Sequence, residues 1–479
     1  MGPVSAITAA QRLTRAVTAA ATTAQRVTAT NAVDRLTLSA PQAAVTYTDR
    51  IKKSGSLRID ALLAGGNRWF HESGASGEVP SAVSKKTITY SFLASASGLP
   101  TQDANGFEPL SDAQKSRVRD ALAYYASIID VSFQEVASGG DLSYGANVQN
   151  ASAGYARYPN EGSQVMLAKN DASFSDGWGD GTYGWQVLLH ETGHALGLKH
   201  PGNYNAGGGG TPGPYLPGNL DNRNNTIMSY HNGGNMRRVV ADGGQLRREQ
   251  VNASTLQGLD MEALQYLYGA AQGTSARSYA WDTDAVISQT VWNPNDGSAI
   301  DMSNQTKNNL VDLRAGRWSS IAMRDAYADT GYTAAQYGTL RAGDGRKVAD
   351  ILGKPSYTGR NNLFIAKGSR FTEATGGSGN DTVIANNLGN TVSGGGGDDR
   401  VFWTGGNLTV SGGDGSDTVF VRNVAGARWT LSDDKSTLTL ARRSDGSTLG
   451  SVALSGVEAV RVWDGTSLKA VGKAIYIAA

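Results

Sequence analysis

The spacing of apolar residues divides this chain into two halves of different character. In the first half, segments that alternate apolar and polar residues are interspersed with segments whose apolar residues recur at helical spacing. Beyond residue 270 the pattern changes to short β-type runs separated by Gly, Asn and Asp. We therefore place a domain boundary near residue 270. The first half is predicted to hold strands at 86–93, 131–136 and 141–148 and helices at 112–129, 187–198 and 254–268.

The second half contains an internal repeat. Five nine-residue copies follow one another from Gly376 to Phe420, and the eighth position of each is Val. The sixth position is acidic in every other copy, so one coil of the predicted solenoid is two copies long. A flexible Gly/Asp-rich linker is the alternative, but a linker has no reason to fix Val at every ninth position. The repeated valines are Val383, Val392, Val401, Val410 and Val419.

Successive copies are predicted to lie in two different sheets, with position eight pointing inward and position nine outward. In the odd copies, position nine is Ile384, Phe402 and Phe420, an apolar stripe that is costly to leave in water. We expect a cover over this stripe, formed by the segments 429–440 and 452–462 or by an apparent insertion at 325–353. An exposed stripe is the alternative, since single exposed apolar residues are common.

Composition narrows the possible functions. With 43 basic and 42 acidic residues and no basic cluster, the chain has no electrostatic feature that favours nucleic acid. No apolar run approaches the roughly 18 residues of a transmembrane helix. Cysteine is absent, which excludes disulfides, thiolate metal sites and a cysteine nucleophile.

The length of 479 residues favours two or more domains. Residues 1–55 are rich in Ala and Thr, and the first acidic residue is Asp34. Such a composition does not suit a core and predicts a leader or pro-segment. The predicted organisation is a leader at 1–55, a catalytic domain at 56–269 and a repeat-containing domain at 270–479.

A metal-binding motif occupies the predicted helix that ends near residue 198. His190, Glu191, His194, Gly197 and His200 give the pattern H-E-x-x-H-x-x-G-x-x-H. Histidines four residues apart share a helix face, and a glycine with positive φ lets the chain turn back to bring in the third. Three ligands leave a position open for water, as in catalytic zinc sites, and the glutamate lies beside the metal as a general base.

A bare H-E-x-x-H is a common accident on amphipathic helices, whereas the extended form is much more specific. The chain has only five histidines, and three of them stand at the required positions. His71 and His231 are expected to be surface or packing residues.

Together these features resemble the serralysins, calcium-containing zinc endopeptidases of the metzincin group that bacteria export. The resemblance rests on the extended zinc motif, the downstream run Thr226-Ile227-Met228-Ser229-Tyr230 and the Gly/Asp-rich repeats, and it extends from about Ile59 to the C-terminus. It also includes Leu142 to Gly145, which it places at the sheet edge that binds substrate, and the run Gly154 to Pro159. It implies an α+β metzincin catalytic domain followed by an all-β parallel β-roll.

The resemblance also implies roles for individual residues. The zinc ligands would be His190, His194 and His200, with Tyr230 a further ligand or transition-state donor, Glu191 the base, and Met228 and Gly197 structural. Calcium would bind between the turns at 376 and 394 and between those at 394 and 412, giving one zinc ion and at least two calcium ions. The implied calcium residues are Gly376, Ser378, Asp381, Gly394, Gly396, Asp399, Gly412, Asp414 and Asp417.

The function that follows is a secreted, monomeric endopeptidase that acts on proteins or peptides and is exported by a type I secretion apparatus. The alternative is a calcium-binding surface or adhesion-type protein with an inactive protease-like domain. The intact Glu191 argues against that alternative, because an inactive relative would be free to lose the base.

Overall fold

The computed structural model describes residues 53–64, 86–159, 163–206, 208–272, 275–463 and 475–476. Nearly all of the predicted leader at 1–55, together with His71, lies outside these described residues. In the described part, no helix combines the length and apolarity needed to cross a bilayer.

The first half combines one sheet with helices, as the spacing of its apolar residues predicts. Its elements are α1 (Leu57–Asp60), β1 (Lys86–Phe92), α2 (Thr101–Ala104), α3 (Asp112–Ala126), β2 (Val131–Glu135), β3 (Leu142–Asn147), β4 (Gly154–Ala156), β5 (Ser163–Ala168), α4 (Tyr183–Ala195), β6 (Arg237–Asp242), β7 (Gln245–Gln250) and α5 (Gly258–Tyr268).

N-terminal capping hydrogen bonds determine where two of the helices begin. Helix α4 starts four residues before the predicted Val187, because the side chain of Thr182 accepts a hydrogen bond from the backbone N–H of Trp185. Helix α5 starts later than predicted, because the Asp260 carboxylate accepts the N–H of Gln257 and fixes the N-terminus there.

The strand order of the sheet in the first half is β2-β1-β3-β5-β4. Strands β1, β2, β3 and β5 pair in parallel, and β4 pairs antiparallel with β5. The prediction that Leu142 to Gly145 lies at the sheet edge is therefore wrong. Strand β3 is central and buried along its whole length, because β5 adds to its open side. The edge strand is β4, within the run Gly154 to Pro159.

The second half is mainly β-structure. Its elements are β8 (Ser278–Ala280), β9 (Gln289–Val291), β10 (Ser298–Asp301), β11 (Leu310–Asp312), β12 (Arg317–Ser319), α6 (Ala334–Thr339), α7 (Val348–Leu352), β13 (Leu363–Ile365), β14 (Phe371–Thr375), β15 (Thr382–Ile384), β16 (Asn390–Gly396), β17 (Arg400–Phe402), β18 (Leu408–Asp414), β19 (Thr418–Arg422), β20 (Ala427–Leu431), β21 (Thr437–Arg442), β22 (Thr448–Ser455), β23 (Ala459–Trp463) and β24 (Ile475–Tyr476).

Strands of the repeats alternate between two sheets, as predicted. One sheet has the order β20-β21-β22-β18-β16-β14-β10-β8, and the other has the order β11-β15-β17-β19-β23-β24. The strands of the repeats pair in parallel in both sheets. All five repeated valines are buried in one core between the sheets, which confirms that position eight points inward.

The apolar stripe at position nine is buried, as predicted. Phe402 is 0% exposed, Ile384 and Phe420 are each 6% exposed, and the two phenylalanine rings stack with centroids 4.4 Å apart. The expected cover by segments 429–440 and 452–462 is wrong. Strands β22 and β23 extend the two sheets beside β18 and β19, since their backbones continue the parallel ladders, and β20 and β21 continue one sheet beyond β22.

Candidate metal centre

Helix α4 and the turn after it bring the three motif histidines together. His190 and His194 lie one turn apart on α4, which ends at Ala195. Gly197 has a φ of 100°, and it lets the chain reverse so that His200 faces the helix. The Nε2 atom of His200 lies 3.2 Å from that of His190 and 3.1 Å from that of His194.

The outer ring nitrogens fix the tautomers of these histidines. His190 Nδ1 lies 2.8 Å from the carbonyl oxygen of Ile227, His194 Nδ1 lies 2.7 Å from that of Leu198, and His200 Nδ1 lies 2.8 Å from Asn205 Oδ1. Each Nδ1 therefore carries the proton, and each Nε2 presents a lone pair. Three lone pairs facing one another cannot hydrogen-bond, so the cluster suits a cation.

Burial keeps the three imidazoles neutral. It is the main cause that lowers the pKa of His194 to about 3 and that of His190 well below its ordinary value. The pKa of His200 is also lowered, again mainly by burial. Neutral imidazole is the form that binds a metal ion.

Glu191 lies beside the histidine cluster rather than in it. Its side chain is buried, and its Oε2 has no hydrogen-bond partner among the described residues. Burial raises the pKa of this carboxyl to about 8 when no cation is present beside it. Gly154 of the edge strand β4 packs against it, so the Glu191 side chain is in contact with that strand.

The turn that contains Met228 lies under helix α4. Met228 is fully buried, and its Sδ would be 3.1 Å from a Cβ placed on Gly193 of the helix. Asp260 of α5 holds this turn, because its carboxylate accepts the N–H of Ile227 at 2.8 Å as well as the Thr226 hydroxyl. Asp260 was missed by the sequence reasoning, since nothing in its local sequence distinguishes it from a surface aspartate.

Tyr230 lies at the rim of the site and is 40% exposed. Its ring centroid is 4.6 Å from that of His200 and 4.9 Å from that of Tyr204. The Tyr204 hydroxyl donates to Asp221 at 2.6 Å, which fixes the ring against which Tyr230 packs. The side chain of His231 is 62% exposed, as expected for a surface residue, and its Nε2 lies 3.8 Å from Asp221 Oδ2.

A second residue missed from sequence is Lys199, which precedes the third histidine. It is 1% exposed, and its ammonium donates to the carbonyl oxygens of Ala61 at 2.6 Å, Pro214 at 3.0 Å and His200 at 3.2 Å. It therefore ties the segment after α1 to the loop that carries His200. Lys199 stands at an unspecified position of the zinc motif, so the motif did not indicate a structural role for it.

The residues predicted to bind calcium lie in three successive turns of the repeats, at 376–381, 394–399 and 412–417. Asp381 N–H donates to Asp399 Oδ1, and Asp399 N–H donates to Asp417 Oδ1, each at 2.8 Å. The Oδ2 atoms of Asp399 and Asp417 are buried without a hydrogen-bond partner among the described residues, whereas that of Asp381 accepts the N–H of Gly377.

Glycines at the first repeat position pack against these carboxylates. A Cβ on Gly394 would collide with Asp399 Oδ2 and with the carbonyl oxygen of Gly412, and one on Gly376 would collide with the carbonyl oxygen of Gly394. Gly396 and Asp414, at the third position, are in register in β16 and β18, and Ser378 donates its N–H to Gln305.

Comparison with known proteins agrees with this geometry. A family model described as metallo-peptidase family M12 matches residues 84–240, which include all three histidines of the cluster. Metalloprotease AprA of Pseudomonas entomophila is 32% identical over 317 residues, and Metallopeptidase AprA of Pseudomonas marginalis is 30% identical over 319; each alignment covers 64% of this chain. Serralysin C of Dickeya chrysanthemi is 30% identical over 314 residues, 62% of this chain.

The chain spans 60%, 62% and 58% of the lengths of these relatives, respectively. The matched region, with its sheet and histidine cluster, defines a metallopeptidase domain, which a β-rich region follows. Over the aligned region the chain is similar to serralysins and AprA metalloproteases.

Proposed function

We propose that this protein is a zinc-dependent endopeptidase that hydrolyses internal peptide bonds of proteins. The observation that carries the proposal is the convergence of three Nε2 lone pairs beside the unpartnered carboxylate of Glu191. The donor set fits zinc, since three neutral imidazoles leave a position open for water. His190, His194 and His200 would hold the ion.

The edge strand β4 supplies a surface for the substrate backbone. Ala153 and Arg157 are hydrogen-bonded to the β5 side, through Ala168 N–H and the Gln164 carbonyl. By the alternation of an antiparallel pair, the backbone groups of Gly154 and Ala156 point away from β5. An extended peptide pairing there would pass beside Glu191.

Bound zinc would supply a polarised water and an electrophile for the scissile carbonyl. Glu191 then accepts a proton from the attacking water and delivers it to the departing amide nitrogen, so that the C–N bond breaks and acid and amine products form. The Tyr230 hydroxyl would donate to the oxyanion, a role supported by the packing of its ring beside His200.

The second half is proposed to be a parallel β-roll domain, over residues 270–479, that binds calcium between its turns. Support comes from the parallel pairing of the repeat strands in two sheets and from the buried, unpartnered Oδ2 atoms of Asp399 and Asp417. The proposed limits of the preceding segments are 1–55 for a leader and 56–269 for the protease domain.

We further propose that the protein is secreted by a type I apparatus, is located outside the cell and is a monomer.

An azocasein assay tests the proposed activity. The wild type should release dye, a chelator should abolish the release, and added zinc should restore it. Glu191→Gln should keep zinc and fold while turnover falls by about 10²- to 10⁴-fold. Glu108→Gln, a partly exposed glutamate outside the cluster, is the matched control. Full proteolysis by a zinc-loaded Glu191→Gln protein would contradict the assigned base, and an inert wild type would favour the calcium-binding alternative.

A further inference from the structure

Asp221 is a buried carboxylate that joins the two chain segments flanking the histidine cluster. It is 7% exposed, and one of its oxygens, Oδ1, accepts the hydroxyl of Tyr204 and the hydroxyl of Ser229, each at 2.6 Å. Tyr204 lies four residues after the proposed zinc ligand His200, and Ser229 directly precedes Tyr230. A single buried oxygen therefore links the loop after the third histidine to the turn that carries Tyr230.

The same carboxylate fixes the chain on both sides of Tyr230. On one side, Ser229 is 1% exposed and donates its hydroxyl to Asp221. On the other side, the N–H of His231 donates to the Ser229 hydroxyl at 3.1 Å, and the Nε2 of His231 lies 3.8 Å from Asp221 Oδ2. The backbone of Tyr230 is therefore held between two residues that are tied to Asp221.

The ring of Tyr204 packs against the ring of Tyr230. Their centroids are 4.9 Å apart, with 31° between the ring planes, and the Tyr204 ring is also stacked on that of His200, with centroids 5.6 Å apart. Among the described residues the Tyr230 hydroxyl has no hydrogen-bond partner, so neighbouring rings hold this side chain. Because the Tyr204 hydroxyl is anchored on Asp221, that hydrogen bond sets the surface against which Tyr230 packs.

We propose that Tyr204, anchored by Asp221, is a positioning residue for the Tyr230 hydroxyl. The inference rests on the proposed function, in which that hydroxyl donates to the oxyanion, and it adds two residues that act through Tyr230. A donor stabilises a developing oxyanion best when it is already held where the charge will form. Tyr230 is 40% exposed, so its ring is partly open to solvent, and the anchored ring of Tyr204 limits its movement.

The Tyr204 hydroxyl can be removed without removing a contact of the zinc ligand. His200 Nδ1 lies 3.0 Å from the backbone carbonyl oxygen of Tyr204 and 2.8 Å from Asn205 Oδ1, and neither contact involves the tyrosine hydroxyl. Thr211 donates its hydroxyl to the same carbonyl oxygen at 2.9 Å. Tyr204→Phe therefore keeps these contacts and the ring, and it removes only the hydroxyl that anchors the ring.

A double-mutant cycle on the full-length, zinc-loaded protein tests the proposal, with kcat and KM measured on one internally quenched peptide. Tyr204→Phe should lower kcat roughly 5- to 20-fold and leave KM and zinc content unchanged, because the Tyr230 hydroxyl is still present but less well placed. In a Tyr230→Phe background the same change should lower kcat by no more than about twofold, since no hydroxyl is left to position. Tyr337→Phe is the matched control, because it removes a tyrosine hydroxyl that donates to Gly353 in the second half of the chain.

A loss of turnover that disappears in the Tyr230→Phe background supports the positioning role. Equal losses in both backgrounds would assign Tyr204 to general stability, and a loss of zinc would assign it to His200, so either result refutes the role. It is also refuted if Tyr204→Phe is as active as Tyr337→Phe, or if Tyr230→Phe is as active as the wild type.

The cycle also separates this role from the proposed function. An inert wild type refutes the endopeptidase activity and the positioning role with it, whereas an active wild type without coupling between the two tyrosines refutes the positioning role alone. Should Tyr204→Phe not fold, Asp221→Asn carries the same cycle. It removes the charge that strengthens both hydrogen bonds to Oδ1, so kcat should again fall only where Tyr230 keeps its hydroxyl.

Discussion

Gly154 of the edge strand lies directly against the side chain of Glu191. A Cβ placed on Gly154 would be 2.8 Å from Glu191 Cγ and 3.2 Å from its Cδ, closer than side-chain atoms normally approach. The strand proposed to hold the substrate and the residue proposed to move the proton are therefore in contact. A change in either position is transmitted to the other.

We predict that Gly154→Ala lowers kcat/KM by roughly 10- to 100-fold, because the added methyl group displaces Glu191 or the strand from its working position. Zinc content should not change, since the three histidines do not contact this methyl group. Gly218→Ala is the control, because a Cβ there meets no atom within 4 Å. Steady-state kinetics and zinc analysis of both variants check the prediction, which is refuted if Gly154→Ala is as active as Gly218→Ala.

A second prediction concerns Asp103, which is fully buried and holds the other face of the edge strand. The Tyr155 hydroxyl donates to Asp103 Oδ1 at 2.6 Å, and Arg157 Nη1 lies 2.7 Å from its Oδ2. Asp103→Asn should raise KM about tenfold for long peptides that pair along β4, since loss of the ion pair loosens the strand. Short substrates should respond less.

The exposed Asp112, at the start of α3, offers the control Asp112→Asn for this experiment. Tyr155→Phe removes one of the two contacts without removing the buried charge, so it tests the same clamp if Asp103→Asn folds poorly. An equal loss on long and short substrates would show that Asp103 acts only on general stability.

Tyr230→Phe should lower kcat about 10²-fold and leave KM nearly unchanged, because the hydroxyl is needed for the oxyanion and not for substrate binding. Burial is the main cause that raises the pKa of Tyr230 to about 12, so the hydroxyl stays protonated and can donate at neutral pH. Tyr215→Phe, at a tyrosine of similar exposure, is the control. Unchanged turnover in Tyr230→Phe would remove the residue from the mechanism.

The calcium-free protein should lose stability as pH rises. Burial raises the pKa of Asp399 to about 7, above the value of about 3.9 in an unfolded chain. A raised carboxyl pKa favours the folded state when the group is protonated, so this contribution is fully present below about pH 3.9 and is lost as pH rises through about 7. Calcium should bind more tightly at pH 8 than at pH 5, because it competes with this proton.

Melting temperatures of chelator-treated protein at pH 5 and pH 8 measure this effect. Asp399→Asn keeps an oxygen that can accept the Asp381 N–H but does not titrate, so the melting temperature of the variant should fall less between the two pH values. Equal decreases in the wild type and the variant would show that Asp399 does not control the pH dependence.

Sequence alone determined the features that repeat over a short distance. His190 and His194 share a face because a helix repeats every 3.6 residues, and the five valines point inward because a strand alternates every two. Each of these periods is a local property of the backbone, so it can be read without knowing the fold. The alternation of the repeats between two sheets followed in the same way.

Only the tertiary structure decided which distant segments meet. The identity of the edge strand depended on where β5 adds to the sheet. From sequence, β3 was placed at the edge, whereas the strand that lies there is β4. The partners of Asp103, Asp260 and Lys199 come from segments far away in sequence. Such contacts are fixed by the packing of whole elements, which no local period encodes.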